Sequence, residues 1–327
     1  MVSGRPRVAL VFPGQGSQAV GMGKAAHDAF PEARAVFEEA DAALGFPLSR
    51  ACFEGPEEVL RLTATTQPAI LATSLALLAA LRARLRDRRP GAIACAAGHS
   101  LGEYAALVAA GSLEPADAVR IVRRRGEYMQ EAVPVGHGAM AALLGSTPEA
   151  VEALCREAAA GEVLAPANLN APDQTVVAGT AAAVERLAAL AHVRGVRRVV
   201  RLAVSAPFHC ALMAPAQERL ARDLEALPLR DASFPVIPNA TATPATAARA
   251  LREALVLQVT RPVRWVETVR AMRAVGVDTL VEIGPGRVLS GLARRIDPDL
   301  RLLNVEDPVS LVATIAALDR SGPEGAG

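Results

Sequence analysis

One serine in this chain sits where its neighbours can make it a nucleophile. Gly98-His99-Ser100-Leu101-Gly102 reads Gly-x-Ser-x-Gly. The residues before it, 92–97, are apolar and strand-like; those after it, 103–110, are strong helix formers. A strand-to-helix turn pushes the serine out at the top of a sheet, and flanking glycines relieve the crowding. The helix that follows turns its free N–H groups and positive dipole end toward whatever forms on the serine. Attack on an acyl carbon, with stabilisation of the resulting oxyanion, is the chemistry this arrangement suits. The same five residues also fit a plain Gly-Ser turn in an alanine-rich chain.

A serine nucleophile needs a base, and the histidines are His27, His99, His137, His192 and His209. His27 and His192 lie in charged, helical surroundings that read as surface. His99 adjoins the serine in the chain, so its side chain is expected to point away from that of Ser100. His137 sits in the glycine-rich joint Pro134–Gly138. His209 lies in the proline-anchored loop 205–213 that enters a helix, an irregular segment of the kind that carries sites. This placement favours His209 over His137 without deciding between them. A second glycine pattern competes: Gly14-Gln15-Gly16-Ser17-Gln18-Ala19 after a strand fits a dinucleotide fingerprint, with Glu38 and Glu39 near the required distance. Pro13, Gln15 and Gln18 fit an oxyanion loop better, and no nicotinamide-site pattern follows. Gly284-Pro285-Gly286 reads as a strand-to-helix turn, with an anion cradle as the other reading.

These groups must be held by a scaffold, and 327 residues suffice for one large α/β domain or one with an insertion. The chain is 51% hydrophobic and only 3% aromatic, so its core is built from Ala, Leu and Val. Lys+Arg 35 against Asp+Glu 34 argues against a nucleic-acid binder. Arginines cluster nonetheless, at 82–89 (Arg82, Arg84, Arg86, Arg88, Arg89), at 123–125 and at 194–201. Cys52, Cys95, Cys155 and Cys210 have no CxxC spacing, so neither a disulfide framework nor a metal site is expected, and reduced cytoplasmic thiols are. The longest apolar run, Pro68–Leu81, is too short to cross a bilayer and reads as a buried helix; no signal peptide is visible.

Strands are expected at 7–12, 92–97, 234–237 and 278–283, with helices at 31–44, 66–88, 115–132, 212–226, 248–257, 263–275 and on to about 295. Between them the texture changes. Strand 139–144, helix 148–160, strands 163–168 and 174–178, helix 180–192 and strand 197–203 give the β-α-β-β-α-β order of a ferredoxin-like unit. The expected division is a catalytic lobe of 1–133 and 206–320, a small lobe of 134–205, and a disordered tail at 321–327.

Taken in order, several segments resemble the malonyl-CoA:acyl-carrier-protein transacylase family. They are Phe12–Gln18, Thr66–Pro68, Gly98–Glu103, Arg125-Gly126, Pro166–Asn170, Pro207–Met213, Gln258 and Glu282–Gly286. The resemblance covers about 7 to 295. It implies an α/β-hydrolase-like large lobe with an inserted ferredoxin-like small lobe. It also implies transfer of a malonyl group from coenzyme A to an acyl carrier protein, with no bound cofactor and a monomeric chain. By the same resemblance Ser100 is the nucleophile and His209 the base. Backbone N–H groups of Gln15 and Leu101 form the oxyanion hole, Arg125 holds the malonyl carboxylate, and a backbone carbonyl at Gln258 orients the histidine. Gln67 and Asn170 line the site.

A cation is what malonyl selection requires, because malonyl differs from acetyl by one carboxylate, and Arg pairs both oxygens. An acetyl group would leave Arg125 unpaired, a rejection of up to about 10⁴-fold. Met129 lies four residues on, on the same helix face. From the run Arg123–Arg125 alone, a surface arginine is the plainer reading. A carbonyl-held imidazole implies activity that falls below the histidine pKa, within about pH 5 to 8. Phe208 departs from the serine common in stand-alone fatty-acid enzymes. In modular polyketide synthases Phe at this point goes with malonyl over methylmalonyl, so the pathway stays open between fatty acid and polyketide synthesis. The acidic carrier is expected to dock on Arg197, Arg198 and Arg201. A serine hydrolase and a non-catalytic carrier-binding scaffold are the competing functions.

Overall fold

The computed structural model describes residues 6–85, 92–204 and 206–319. Arg86, Arg88, Arg89, Ser205 and the expected tail at 321–327 lie outside the described residues. Among those described, eight strands make two four-stranded sheets: β1 (Arg7–Phe12), β2 (Ala92–Gly98), β3 (Gly138–Leu144), β4 (Leu164–Ala171), β5 (Gln174–Thr180), β6 (Arg198–Arg201), β7 (Thr279–Ile283) and β8 (Arg301–Val305).

The larger sheet is parallel, in the order β2-β1-β7-β8. Its central strands β1 and β7 are almost continuously buried, as expected of strands covered by helices on both faces. Helix Thr63–Leu85 lies against this sheet and is buried along most of its length. It is the helix among the described residues long and apolar enough to cross a membrane, and here it is core. β7 runs through Gly284 and Gly286, both at positive φ, into helix Val288–Ile296. The buried Glu282 carboxylate accepts the Leu289 and Ser290 N–H groups at 2.9 and 2.7 Å, so those helix-start donors are satisfied from within. Gly284–Gly286 is therefore a strand-to-helix turn.

The smaller sheet is antiparallel, in the order β4-β5-β3-β6, with helices Pro148–Ala159 and Ala181–Val193 on one face. This is the ferredoxin-like lobe. Thr147 and Thr180 cap the two helices through their hydroxyls, each accepting an N–H three residues on. Strand alternation sends Ala141, Leu143 and Val177 to the helices, and Met140, Ala142 and Val176 to the opposite face. Single bridges join Asn168 to Val263 and Ala96 to Val236.

Two expectations change. The strand expected at 234–237 shrinks to the bridge at Val236, because Pro235 and Pro238 remove the donors on either side. β8 and helix Pro308–Asp319 were not expected; β8 is a sheet-edge strand whose half-buried residues lack an apolar run.

Packing at the elbow makes its glycines obligatory. A Cβ on Gly98 would overlap the Gly102 carbonyl, and one on Gly102 would overlap the Phe12 carbonyl. Both obstacles are backbone and cannot rotate away. Gly102→Ala should therefore destabilise the fold by at least ~3 kcal/mol, the upper range for overpacking. A thermal melt of the purified variant within 1 °C of wild type would show the elbow to be looser than this.

Candidate active site

Strand β2 delivers the chain into the elbow, and Ser100 takes a left-handed backbone with φ 52°. Helix Gly102–Ala109 follows at once. The strained turn is pinned on both sides. The Ser100 N–H donates to Asn239 Oδ1 at 2.7 Å, and Asn239 Nδ2 donates to the Gly98 carbonyl at 2.6 Å. Gln258 Nε2 donates to the Ser100 carbonyl at 3.0 Å. The Leu101 N–H stands at the helix start, and that of Gln15 lies in the loop after β1; no hydrogen bond takes up either among the described residues.

His209 reaches the serine from the loop after the small lobe. Its Nε2 lies 2.8 Å from Ser100 Oγ, and its Nδ1 lies 2.8 Å from the Gln258 carbonyl oxygen. A carbonyl can only accept, so Nδ1 carries the hydrogen and Nε2 is left to accept from the serine hydroxyl. The His209 backbone also has positive φ, 59°. Cys210 helps to shape this turn by donating from Sγ to the Pro207 carbonyl. The geometry thus separates the two candidates: His209 meets the serine, and His137 lies exposed in the turn before β3. His99 turns away as expected, with Nε2 2.9 Å from Asn170 Oδ1 and its ring against Trp265.

Arg125 is not the surface residue that its neighbours suggest. It is 1% exposed, whereas Arg123 and Arg124 are paired near the surface with Glu127 and Asp223. Its Nη2 donates to Ser100 Oγ at 3.0 Å and to Gln258 Oε1 at 2.9 Å, and its Nη1 donates to Gln67 Oε1 at 2.7 Å. Its Nε has no partner among the described residues. Gly126 permits this placement, because a Cβ there would press on the Ala64 backbone of the neighbouring helix. Met129 is buried on the same face, its Sδ 3.7 Å from Gln67 Nε2.

The serine and histidine open onto a cleft of about 540 Å³ between the two sheets, a size suited to a small organic group. Gly14–Gln18, Asn170 and Phe208 line it, and Met140, Ala142, Val176 and Leu202 form its apolar wall. The glycine loop at 14–19 does not open a helix, since the next helix starts at Lys24. That removes the phosphate-cradling geometry of a dinucleotide site. Arg197, Arg198 and Arg201 line a separate hollow on the small lobe; Arg201 is ion-paired with Glu185. Among the described residues no group of three His, Cys, Asp or Glu is placed to hold a metal.

Two site residues had no role in the sequence reading. Glu103 is fully buried; its Oε2 accepts from Asn239 N–H at 2.8 Å and from Gln258 Nε2 at 2.7 Å. Burial pushes its carboxyl up to about 7, against these donors and the Arg125 charge, which lower it. Asn239 follows a proline in a loop, with no periodic signal to mark it.

An elbow serine, an imidazole with a carbonyl behind it and a buried guanidinium, on this two-lobed fold, define an enzyme that forms an acyl-serine ester. The chain belongs to the family described as acyl transferase domain, whose model matches residues 9–296. It is 45% identical over 314 residues to the malonyl CoA-acyl carrier protein transacylase of Bacillus subtilis, covering 95% of this chain and 97% of that one. The transacylase of Escherichia coli K12 is also 45% identical, over 94% and 98%. A solved transacylase from Coxiella burnetii superposes with a TM-score of 0.92 at 41% identity, covering 96% and 98%. A malonyl-transacylase solved in complex with a type II PKS acyl-carrier protein superposes at 0.91 with 44% identity, covering 95% and 99%.

The histidine environment changes the expected pH behaviour. Burial, then the Arg125 charge, lowers the His209 pKa from 6.5 to about 3, outweighing the Gln258 carbonyl that raises it. With His209 as the base, the neutral ring is the form that can accept the serine proton, and it is neutral above the folded value. Protonation of His209 therefore removes activity only as pH falls toward 3, not within pH 5 to 8. Single-turnover acylation should show no histidine limb near 6.5, and a limb near 7 would report Glu103. A limb near 6.5 that survives Glu103→Gln would contradict this assignment.

Proposed function

We propose that this protein transfers a malonyl group from malonyl-CoA to the phosphopantetheine thiol of an acyl carrier protein, by way of a malonyl ester on Ser100. The reaction supplies extender units for fatty acid or polyketide synthesis. The observation that carries the reading is the buried Arg125, in contact with Ser100 Oγ at 3.0 Å and held by neutral amide oxygens instead of a carboxylate. The relatives named above support the donor and the acceptor. The catalytic lobe is 1–133 with 206–320, the small lobe is 134–205, and the location is the cytoplasm.

The Ser100 hydroxyl passes its proton to His209 Nε2 as Oγ attacks the thioester carbonyl. Negative charge develops on that carbonyl oxygen, where the Gln15 and Leu101 N–H groups receive it. The tetrahedral intermediate collapses, the C–S bond breaks, and His209 returns the proton to the departing coenzyme A thiolate. The carrier thiol then gives its proton to His209 and attacks the ester, and Ser100 Oγ leaves with that proton. The Gln258 carbonyl keeps the ring aimed in both halves. A carbonyl stabilises the imidazolium less than a buried carboxylate would, which suffices for an activated thioester. Arg125 turns the Nη2–H that faces Ser100 Oγ to the malonyl carboxylate and keeps its contacts with Gln258 Oε1 and Gln67 Oε1, the latter side chain backed by Met129. Phe208, at the cleft wall, crowds an α-methyl branch, and Asn170 steadies His99. Arg197 and Arg198 are the proposed contacts for the acidic carrier; Arg201, committed to Glu185, contributes less.

Intact-mass measurement after mixing with malonyl-CoA tests the covalent step. A malonyl adduct is expected on wild type and not on Ser100→Ala, whose transfer rate should fall by at least about 10⁴-fold. The adduct should persist without a thiol acceptor and move to holo carrier protein when that is added. Rapid loss to water would make the chain a hydrolase; no adduct and no released CoA would make it a binding scaffold. Charge reversal at Arg197 and Arg198 should raise the carrier KM and leave that for malonyl-CoA unchanged. An unchanged carrier KM would remove the docking assignment.

A further inference from the structure

Ser100, His209 and Arg125 are each tied, through Gln258 or Asn239, to a carboxylate that meets no substrate. We propose that Glu103 is a positioning residue for this reaction, fixing the aim of Arg125, Ser100 and His209 together through Gln258 and Asn239; the inference rests on the malonyl-transfer reading.

The Gln258 amide joins Glu103 to Arg125. Its Nε2 faces two oxygens, Glu103 Oε2 at 2.7 Å and the Ser100 carbonyl at 3.0 Å. Its Oε1 faces Arg125 Nη2 at 2.9 Å. An amide can sit either way round in a site of this shape, and only its partners decide. Turning it over would set Oε1 against the Glu103 carboxylate and the amide hydrogens against the guanidinium. Both contacts would be repulsive, so Glu103 at one end and Arg125 at the other fix the orientation. The same residue carries the carbonyl that receives His209 Nδ1–H at 2.8 Å. Holding the Gln258 side chain therefore also holds the backbone that aims the base.

The second arm runs through Asn239. Its N–H donates to the same Glu103 oxygen at 2.8 Å, and its side chain bonds Gly98 and Ser100 on either side of the left-handed turn. Glu103 stands in the first turn of helix Gly102–Ala109, directly after the nucleophile, and is 1% exposed. Its helix position favours a carboxylate at that end. It does not line the cleft, so any effect on donor choice must pass through its partners.

The test compares acylation by malonyl-CoA and by acetyl-CoA in wild type, Glu103→Gln, Gln258→Met and the double variant, by quenched intact mass. A relay through Gln258 predicts that each single variant loses malonyl acylation about 10- to 100-fold, and at least about 5-fold more than it loses acetyl acylation. It also predicts a double variant within about 2-fold of the worse single, because coupled residues are not additive. Equal losses for both donors, or losses that multiply in the double variant, would overturn the proposal, since general destabilisation has no means of reading the donor. If Glu103→Gln does not fold, Glu103→Asp, which draws the carboxylate back from Gln258 and Asn239 by one methylene, decides on the same malonyl-to-acetyl ratio. Failure of wild type to take up malonyl would instead sink the transfer reading, and that result is separable because it needs no variant.

Discussion

A guanidinium with almost no exposure to water, touching the elbow serine, is the constraint around which this structure is organised. Removing a cation from water costs several kcal/mol unless hydrogen bonds and opposite charge replace the lost hydration. Arg125 receives three neutral oxygens, from Gln67, Gln258 and Ser100, and lies 5.9 Å from the Tyr104 ring. A carboxylate, that of Glu103, stands behind the Gln258 amide. That compromise keeps the charge in the protein without neutralising it at the site. Each supporting residue sits on a rigid element: Gln67 on helix Thr63–Leu85, Gln258 at the end of helix Ala248–Gln258, Glu103 on the elbow helix.

The same constraint accounts for the strain beside it. Ser100 and His209 both hold left-handed backbones that non-glycine residues avoid at a cost of about 1–3 kcal/mol each. Asn239, Gln258 and the close-packed glycines at 98 and 102 absorb that cost by leaving the chain no alternative path. The dipoles and N–H groups of the site are thereby oriented before any substrate arrives, which is where electrostatic catalysis draws its strength. The small sheet contributes little to this machinery. It supplies an apolar wall opposite the serine and, through Asn170 Oδ1, an acceptor for His99 Nε2.

Much of this was legible in the residues. The elbow, its strand and its helix followed from glycine spacing and apolar runs, and the ferredoxin-like order followed from alternating periods. Arg125 shows where local reading stops. In the run Arg123–Arg125 composition favours the surface, yet the buried stripe Ala118, Ile121, Val122, Arg125, Gly126, Met129 has helical spacing and places that one arginine inside. The histidine remained open between 137 and 209, because which loop meets the serine is a property of how the two lobes pack. Asn239 and the role of Glu103 were invisible for the same reason: their partners are distant in sequence. β8, at a sheet edge with half-buried residues, gave no periodic signal.

Arg125, paired only with neutral oxygens, is free to read a carboxylate on the donor if the proposed transfer holds. The direct measurement is the second-order rate of Ser100 acylation by malonyl-CoA and by acetyl-CoA, in wild type and in Arg125→Ala. The account predicts that wild type prefers malonyl by about 10³-fold or more, and that the variant loses this preference through a fall in the malonyl rate while the acetyl rate holds or rises. A variant that slows both donors equally, with the preference intact, would contradict it and make Arg125 a structural prop.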